Sequence, residues 1–213
     1  MIMNRDGRKI SPEGYQRRRA APAARRNVFP LSEPEAAALV NNTLNLRDRC
    51  ALELMLFCGL RRAEVCFLEI ARVDFAAGEI DVIGKGAKPR RVPMLPFVAA
   101  HLKDLIGRRQ TGFVFEAGNR RREGGSLSLR GLAVIVDIAA RRAGVKQKTP
   151  GFARVNPHQL RHTFARRMKD AGMPWEDLAL ILGHGDPGMT ARVYGNHSYD
   201  QVKEKFLAIH NGG

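Results

Sequence analysis

The sequence predicts a mainly α-helical domain with one small antiparallel β-sheet, an α+β arrangement. Apolar residues recur at helical spacing in segments that start at Ser, Asn or Pro and stop at Gly. Two short β-prone runs, 79–83 and 91–94, interrupt the helical pattern and are joined by Gly-Lys-Gly-Ala-Lys-Pro-Arg, which reads as a hairpin with an extended basic loop. At 213 residues and 44% hydrophobic, the chain can bury one good core.

Residues 1–30 form a separate zone. Arg5, Arg8, Lys9, Arg17, Arg18, Arg19, Arg25 and Arg26 face only Asp6 and Glu13, eight bases against two acids and a net of +6. No apolar periodicity runs through this zone, so it is expected to be a disordered basic arm. Order is expected from residue 31 to 213. Ser32 and Glu35 have capping-box spacing ahead of a helix through Val40. A helix over 46–58 stops at Gly59, and a short one follows over 62–69. After the hairpin come helices over 98–106 and 127–142, then a loop over 144–155. Asn156 and Pro157 supply an N-cap and an N1 proline for a helix through Ala171. Pro174 opens a helix ending at Gly183, and a final one spans 199–209.

Composition narrows the partner. Lys and Arg number 36 against 21 acidic residues, giving a formal charge of +15 and a sequence pI near 10.7. Such an excess suits a polyanion such as DNA. Anionic membrane is the rival, but no apolar run approaches the roughly 20 residues of a span and no signal-peptide core follows the N-terminus. Cys50, Cys58 and Cys66 are odd in number and lack a C-x-x-C pair, which argues against a disulfide framework or zinc site. They read as buried thiols. The expectation is a cytoplasmic protein with access to DNA and no cofactor.

Six residues carry the chemistry. They are Arg61 in Gly59-Leu60-Arg61-Arg62-Ala63-Glu64, Lys85 in Gly84-Lys85-Gly86, His158 and Arg161 in His158-Gln159-Leu160-Arg161-His162, His184 in Leu182-Gly183-His184, and Tyr194 after Val193. His158 and Arg161, three apart, project from one face near a helix N-terminus that already favours anions. His158 and His162 are four apart, but Gln159 stands where a metalloprotease motif needs Glu, so metal is not indicated. Glu64 can accept hydrogen bonds and fix a neighbouring basic group; a plain Arg61–Glu64 ion pair is the alternative. Lys85 sits at the hairpin tip, while Lys88, Arg90 and Arg91 read as basic loop residues that touch DNA phosphates. Arg17, Arg18 and Arg19 of the arm are read in the same way.

In order and type these motifs resemble the tyrosine recombinases, the integrase family of site-specific DNA recombinases, over residues 28–210. The resemblance implies that Tyr194 attacks the scissile phosphate, forming a 3′-phosphotyrosyl bond and releasing a 5′-hydroxyl. Arg61, Arg161 and His184 would bind the non-bridging oxygens, Lys85 would protonate the leaving oxygen, and His158 would assist proton removal from Tyr194. It further implies double-stranded DNA with specific recombination sites as partner, a homotetramer on paired DNA, accessory DNA-bending proteins, and no metal or ATP. Two departures stand out. Tyr194 lies ten residues after His184, where many relatives have nine. A basic arm occupies the place of the N-terminal helical domain that most members carry, which resembles the minimal recombinases that invert fimbrial promoter switches. Two rivals are a type IB topoisomerase, which shares the chemistry, and a helix-turn-helix regulator, whose outline residues 174–193 follow.

Overall fold

The structure is a computed structural model that describes residues 2–3, 9–10, 28–83, 89–117, 124–183 and 198–211. Strands β1 (Ile2–Met3) and β2 (Lys9–Ile10) pair antiparallel. Helices α1 (Glu33–Asn41), α2 (Leu46–Phe57) and α3 (Arg62–Cys66) follow, then a 3₁₀ turn at Ile70–Arg72. The sheet comprises β3 (Val73–Asp74), β4 (Glu79–Ile83) and β5 (Pro89–Pro93), with β4 in the centre and both pairings antiparallel. Helices α4 (Pro96–Ile106), α5 (Leu129–Arg142), α6 (Pro157–Asp170), α7 (Trp175–Leu182) and α8 (Tyr199–Asn211) complete the described elements. Lys85 and Lys88 of the hairpin tip, the segment after Gly183 with His184 and Tyr194, and Arg17, Arg18 and Arg19 lie outside the described residues.

Helix α2 is the axis of the core. Every residue from Cys50 to Leu56 is buried, and α1, α4 and α6 pack around it. Seven consecutive buried residues span about two helical turns and cover every face, so this stretch of the helix is interior. Its one deeply buried charge, Glu53, accepts a bond from Arg49 Nε at 2.9 Å and lies 2.9 Å from His101 Nδ1 of α4, so the carboxylate is paired on both sides. Asn45 starts the helix by accepting from Asp48 N at 2.9 Å. The three cysteines are free and buried, and burial pushes the Cys50 thiol up to about 12.

Four features depart from the sequence expectations. Helix α3 stops at Cys66 rather than reaching Glu69, because Leu68 O accepts from Val114 N at 2.8 Å and Ile70 N donates to Gly112 O at 3.0 Å. The bridge Glu69–Phe113 draws this stretch into extended pairing. Strand β3 is too short, at two residues, to show an alternation in the sequence. Strand β5 starts at Pro89, two residues early, so Arg90 pairs with Val82 and shares the face of buried Val92. Finally, β1 and β2 make a short ribbon inside the zone expected to be disordered.

Gly59 sets the path from α2 to α3. Its φ is +66°, and a Cβ there would lie 2.4 Å from Phe164 Cδ1 of α6. Both the left-handed backbone and the ring contact exclude a side chain. Gly59→Ala should therefore cost about 2–4 kcal/mol, combining overpacking with left-handed strain. That corresponds to a fall in Tm of roughly 5–15 °C. Gly144→Ala, at φ +66° with nothing within 4 Å of its Cβ, carries the strain alone and should cost about 1 kcal/mol. Calorimetry on the two variants checks the difference.

Candidate active site

Helix α6 presents its first turn to a cleft of about 550 Å³ that Arg61, His158 and Arg161 line together. Asn156 caps the helix, its Oδ1 accepting from His158 N at 3.1 Å and Gln159 N at 3.2 Å. Pro157 then fixes the first helical φ. This cap sets the rotation of α6, so that exposed His158 and buried Arg161 reach one space from one face. Arg61 comes from the opposite wall as the N-cap of α3.

Beneath the cleft lies Glu64, its side chain only 6% exposed. Oε1 accepts from Arg61 Nη1 at 2.7 Å and Arg90 Nη1 at 2.8 Å. Oε2 accepts from Arg61 N at 2.7 Å and Arg90 Nη2 at 2.8 Å, with Arg161 Nη1 at 3.8 Å. Burial would raise the carboxyl; the paired bonds and charge of Arg90, then the Arg61 contacts, outweigh it and hold the pKa at about 2. Three guanidinium groups around one carboxylate leave a net charge of +2.

The C-terminus of α7 holds the same three arginines. Ile181 O accepts from Arg90 Nε at 2.7 Å, Leu182 O from Arg161 Nη2 at 2.6 Å, and Gly183 O from Arg61 Nη2 at 2.8 Å. Successive carbonyls that a helix end leaves unpaired each take one cation, where the helix dipole also favours positive charge. Arg161 Nη1 donates in addition to Gly59 O, which ties it to the turn after α2. Burial and the neighbouring Arg61 and Arg90 charges bring its pKa down to about 9, so it stays charged at neutral pH. Each guanidinium has five N–H groups. Among the described residues, Arg61 uses two of its side-chain donors and Arg161 two, and the others are available to an oxyanion in the cleft.

His158 has a partner that its spacing alone did not reveal. Its Nε2 lies 3.0 Å from His162 Nε2, with the rings edge-to-face at 4.4 Å between centroids. Desolvation lowers both pKa values, with Arg161 and Arg61 adding to the effect at His158, and His158 and Arg161 adding to it at His162. One proton between the two facing nitrogens satisfies the contact.

Arg90 requires a correction. Expected as a loop residue touching DNA, it is a strand residue with an 8% exposed side chain, and its Nε, Nη1 and Nη2 all donate within the protein. The alternation Arg90, Val92, Met94 carries the signal, but only if the strand is begun at Pro89. Arg91 faces the other way, half exposed, with its guanidinium 4.0 Å over the Tyr199 ring and 3.6 Å from Glu79. Tyr199 is unsuited to be a nucleophile. Its hydroxyl is buried without a hydrogen-bond partner among the described residues, and burial, then Glu79, push the phenol pKa up.

Residues 31–201 match the Phage integrase family. The chain belongs to this family. Tyrosine recombinase XerC of Xanthomonas campestris pv. campestris (strain B100) is 33% identical over 200 residues, covering 90% of this chain and 58% of the relative. XerC of Xylella fastidiosa (strain 9a5c) is 31% identical over 199 residues, covering 90% and 64%. The chain thus spans about 58–64% of the length of these curated relatives. Among solved structures, the integrase of mycobacterium phage Brujita superposes with a TM-score of 0.69 at 21% identity, over 85% of this chain and 57% of that one. XerA recombinase gives 0.65 at 24%, over 85% and 65%. These recombinase folds have the same helical architecture with a small antiparallel sheet.

The histidines make stability depend on pH. A histidine held neutral by the fold binds fewer protons than in the unfolded chain, whose value is near 6.5. Its stabilisation is present above that value and is lost as pH falls through it. His158, His162 and His210 are all lowered. The urea midpoint should fall between pH 7 and pH 5. In His158→Gln/His162→Gln the fall should be shallower, with the His210 share remaining. Equal slopes in the two proteins would contradict the assignment.

Proposed function

We propose that this chain is a site-specific DNA recombinase that cuts and rejoins DNA through a 3′-phosphotyrosyl intermediate. The observation that carries the reading is the convergence of Arg61, Arg161 and His158 on one cleft, with both arginines fixed by main-chain carbonyls and within reach of one buried carboxylate. A scissile phosphate in this cleft meets two guanidinium groups whose charge needs no reorganisation as negative charge builds on the non-bridging oxygens. His184, next in sequence after Gly183, adds a third donor to those oxygens. The phenolic oxygen of Tyr194 forms the new P–O bond and the bond to the 5′-oxygen breaks. Lys85 gives its proton to that oxygen, and His158 helps take the phenolic proton. The phosphodiester energy is kept in the protein–DNA bond, so rejoining is the reverse step with a new 5′-hydroxyl.

The charge of +15 suits the DNA partner. XerH, a structural neighbour with a TM-score of 0.64, was solved bound to its difH substrate. Residues 31–213 form the catalytic unit and residues 1–30 a basic arm that follows the phosphate backbone. The protein acts as a homotetramer on paired sites in the cytoplasm, with DNA-bending accessory proteins, and integration, excision and inversion are its possible outcomes.

A suicide substrate nicked beside the cleavage site tests the chemistry. The wild-type protein should become covalently attached to DNA, and Tyr194→Phe should form no such species while binding DNA almost as tightly. Removing one hydroxyl deletes the nucleophile and no charge. Covalent attachment by Tyr194→Phe would move the nucleophile elsewhere, and none by the wild type would leave a DNA-binding protein without this activity.

A further inference from the structure

Glu64 poses an electrostatic problem for a phosphate site. A carboxylate 2.7 Å from Arg61 Nη1 both orients that guanidinium and cancels its charge. Without a further cation, an incoming phosphate would meet a neutral Arg61–Glu64 pair, and only Arg161 would carry uncompensated charge in the cleft.

Arg90 removes the difficulty. Its Nη1 and Nη2 each bond one Glu64 oxygen at 2.8 Å, an end-on bidentate pair. Its Nε is anchored to Ile181 O at 2.7 Å. The aliphatic stem lies against Gly183, where a Cβ would be only 2.8 Å from Arg90 Cδ. With all three nitrogens engaged and the side chain 8% exposed, Arg90 is directed at the buried carboxylate inside the protein. Strand β5, which carries it, pairs antiparallel with β4, and Lys85 lies between the two strands in sequence.

We infer that Arg90 is a positioning residue that neutralises Glu64 from below, so that Glu64 orients Arg61 without quenching its attraction for the scissile phosphate. The inference rests on the recombinase reading. Arg90 itself touches neither phosphate nor Tyr194; it acts through Glu64 on Arg61. This role differs from a scaffold in one respect: its loss should be relieved by removing the charge it balances.

The test is single-turnover covalent attachment on the nicked substrate, measured at saturating protein, with DNA affinity measured separately. Arg90→Gln should slow attachment by about 10- to 100-fold, less than the roughly 10²–10³-fold cost of losing a group that contacts the oxyanion directly, because Arg90 acts through Glu64. Its DNA affinity should change little, because the side chain is buried. Glu64→Gln/Arg90→Gln, which restores charge balance with neutral hydrogen-bonding groups, should be faster than Arg90→Gln alone. Arg90→Lys keeps the charge and should keep more of the rate than Arg90→Gln, which also serves if Arg90→Gln does not fold. An unchanged rate in Arg90→Gln overturns the proposal. So does a double variant no faster than Arg90→Gln, or a folded Arg90→Lys no better than Arg90→Gln, since either result leaves Arg90 a scaffold. Failure of the wild type to attach at all refutes the recombinase reading instead, and is read from a separate lane.

Discussion

One buried carboxylate and one helix end hold the cationic site together. Glu64 collects Arg61 and Arg90 directly and Arg161 at 3.8 Å, while the last carbonyls of α7 take the same three side chains one by one. Without these acceptors, three guanidinium groups so close together would repel one another and swing apart into water. Burying them is costly unless every charge is paired. Here Arg61 and Arg90 bond Glu64 directly, Arg161 is held by main-chain carbonyls, and the Glu64 pKa of about 2 reflects how strongly its ionised form is held. Removing Glu64 should therefore damage more than one contact.

The arrangement links distant parts of the chain. Arg61 follows α2, Arg90 belongs to the sheet, Arg161 to α6, and their common acceptors to α3 and α7. Gly59, whose carbonyl takes Arg161 and whose missing Cβ admits Phe164, joins the core to the site at a single residue. Packing around α2 thus fixes the distance between the two walls of the cleft. A core substitution near Phe164 would reach the site through this turn.

Much of this was legible in the sequence because local rules and tertiary outcome agree. Ser32 with Glu35 forms the capping box that its spacing suggests, and Asn156-Pro157 starts α6 as an N-cap and N1 proline should. Arg61 and Arg161 could be singled out because each lies in a motif next to a helix boundary. What escaped depends on long-range pairing. Helix α3 ends early because residues 112–114 compete for its backbone, and no local signal announces that. Arg90 looked like one more base in a basic loop until the strand's true start placed it on the inner face. The His158–His162 pairing was visible only as metal-like spacing, since sequence gives the separation along a helix but not the ring orientations.

The central claim is that the cationic site is assembled before DNA arrives. Nitrogen-15 NMR of the arginine side chains in the DNA-free protein tests it most directly. Slow rotation about Nε–Cζ, with separately resolved Nη signals, is expected for Arg61, Arg90 and Arg161 at neutral pH. Glu64→Ala should return Arg61 and Arg90 to the averaged signals of exposed arginines. Averaged signals for all three in the unaltered free protein would contradict the claim and mean that DNA itself assembles the site.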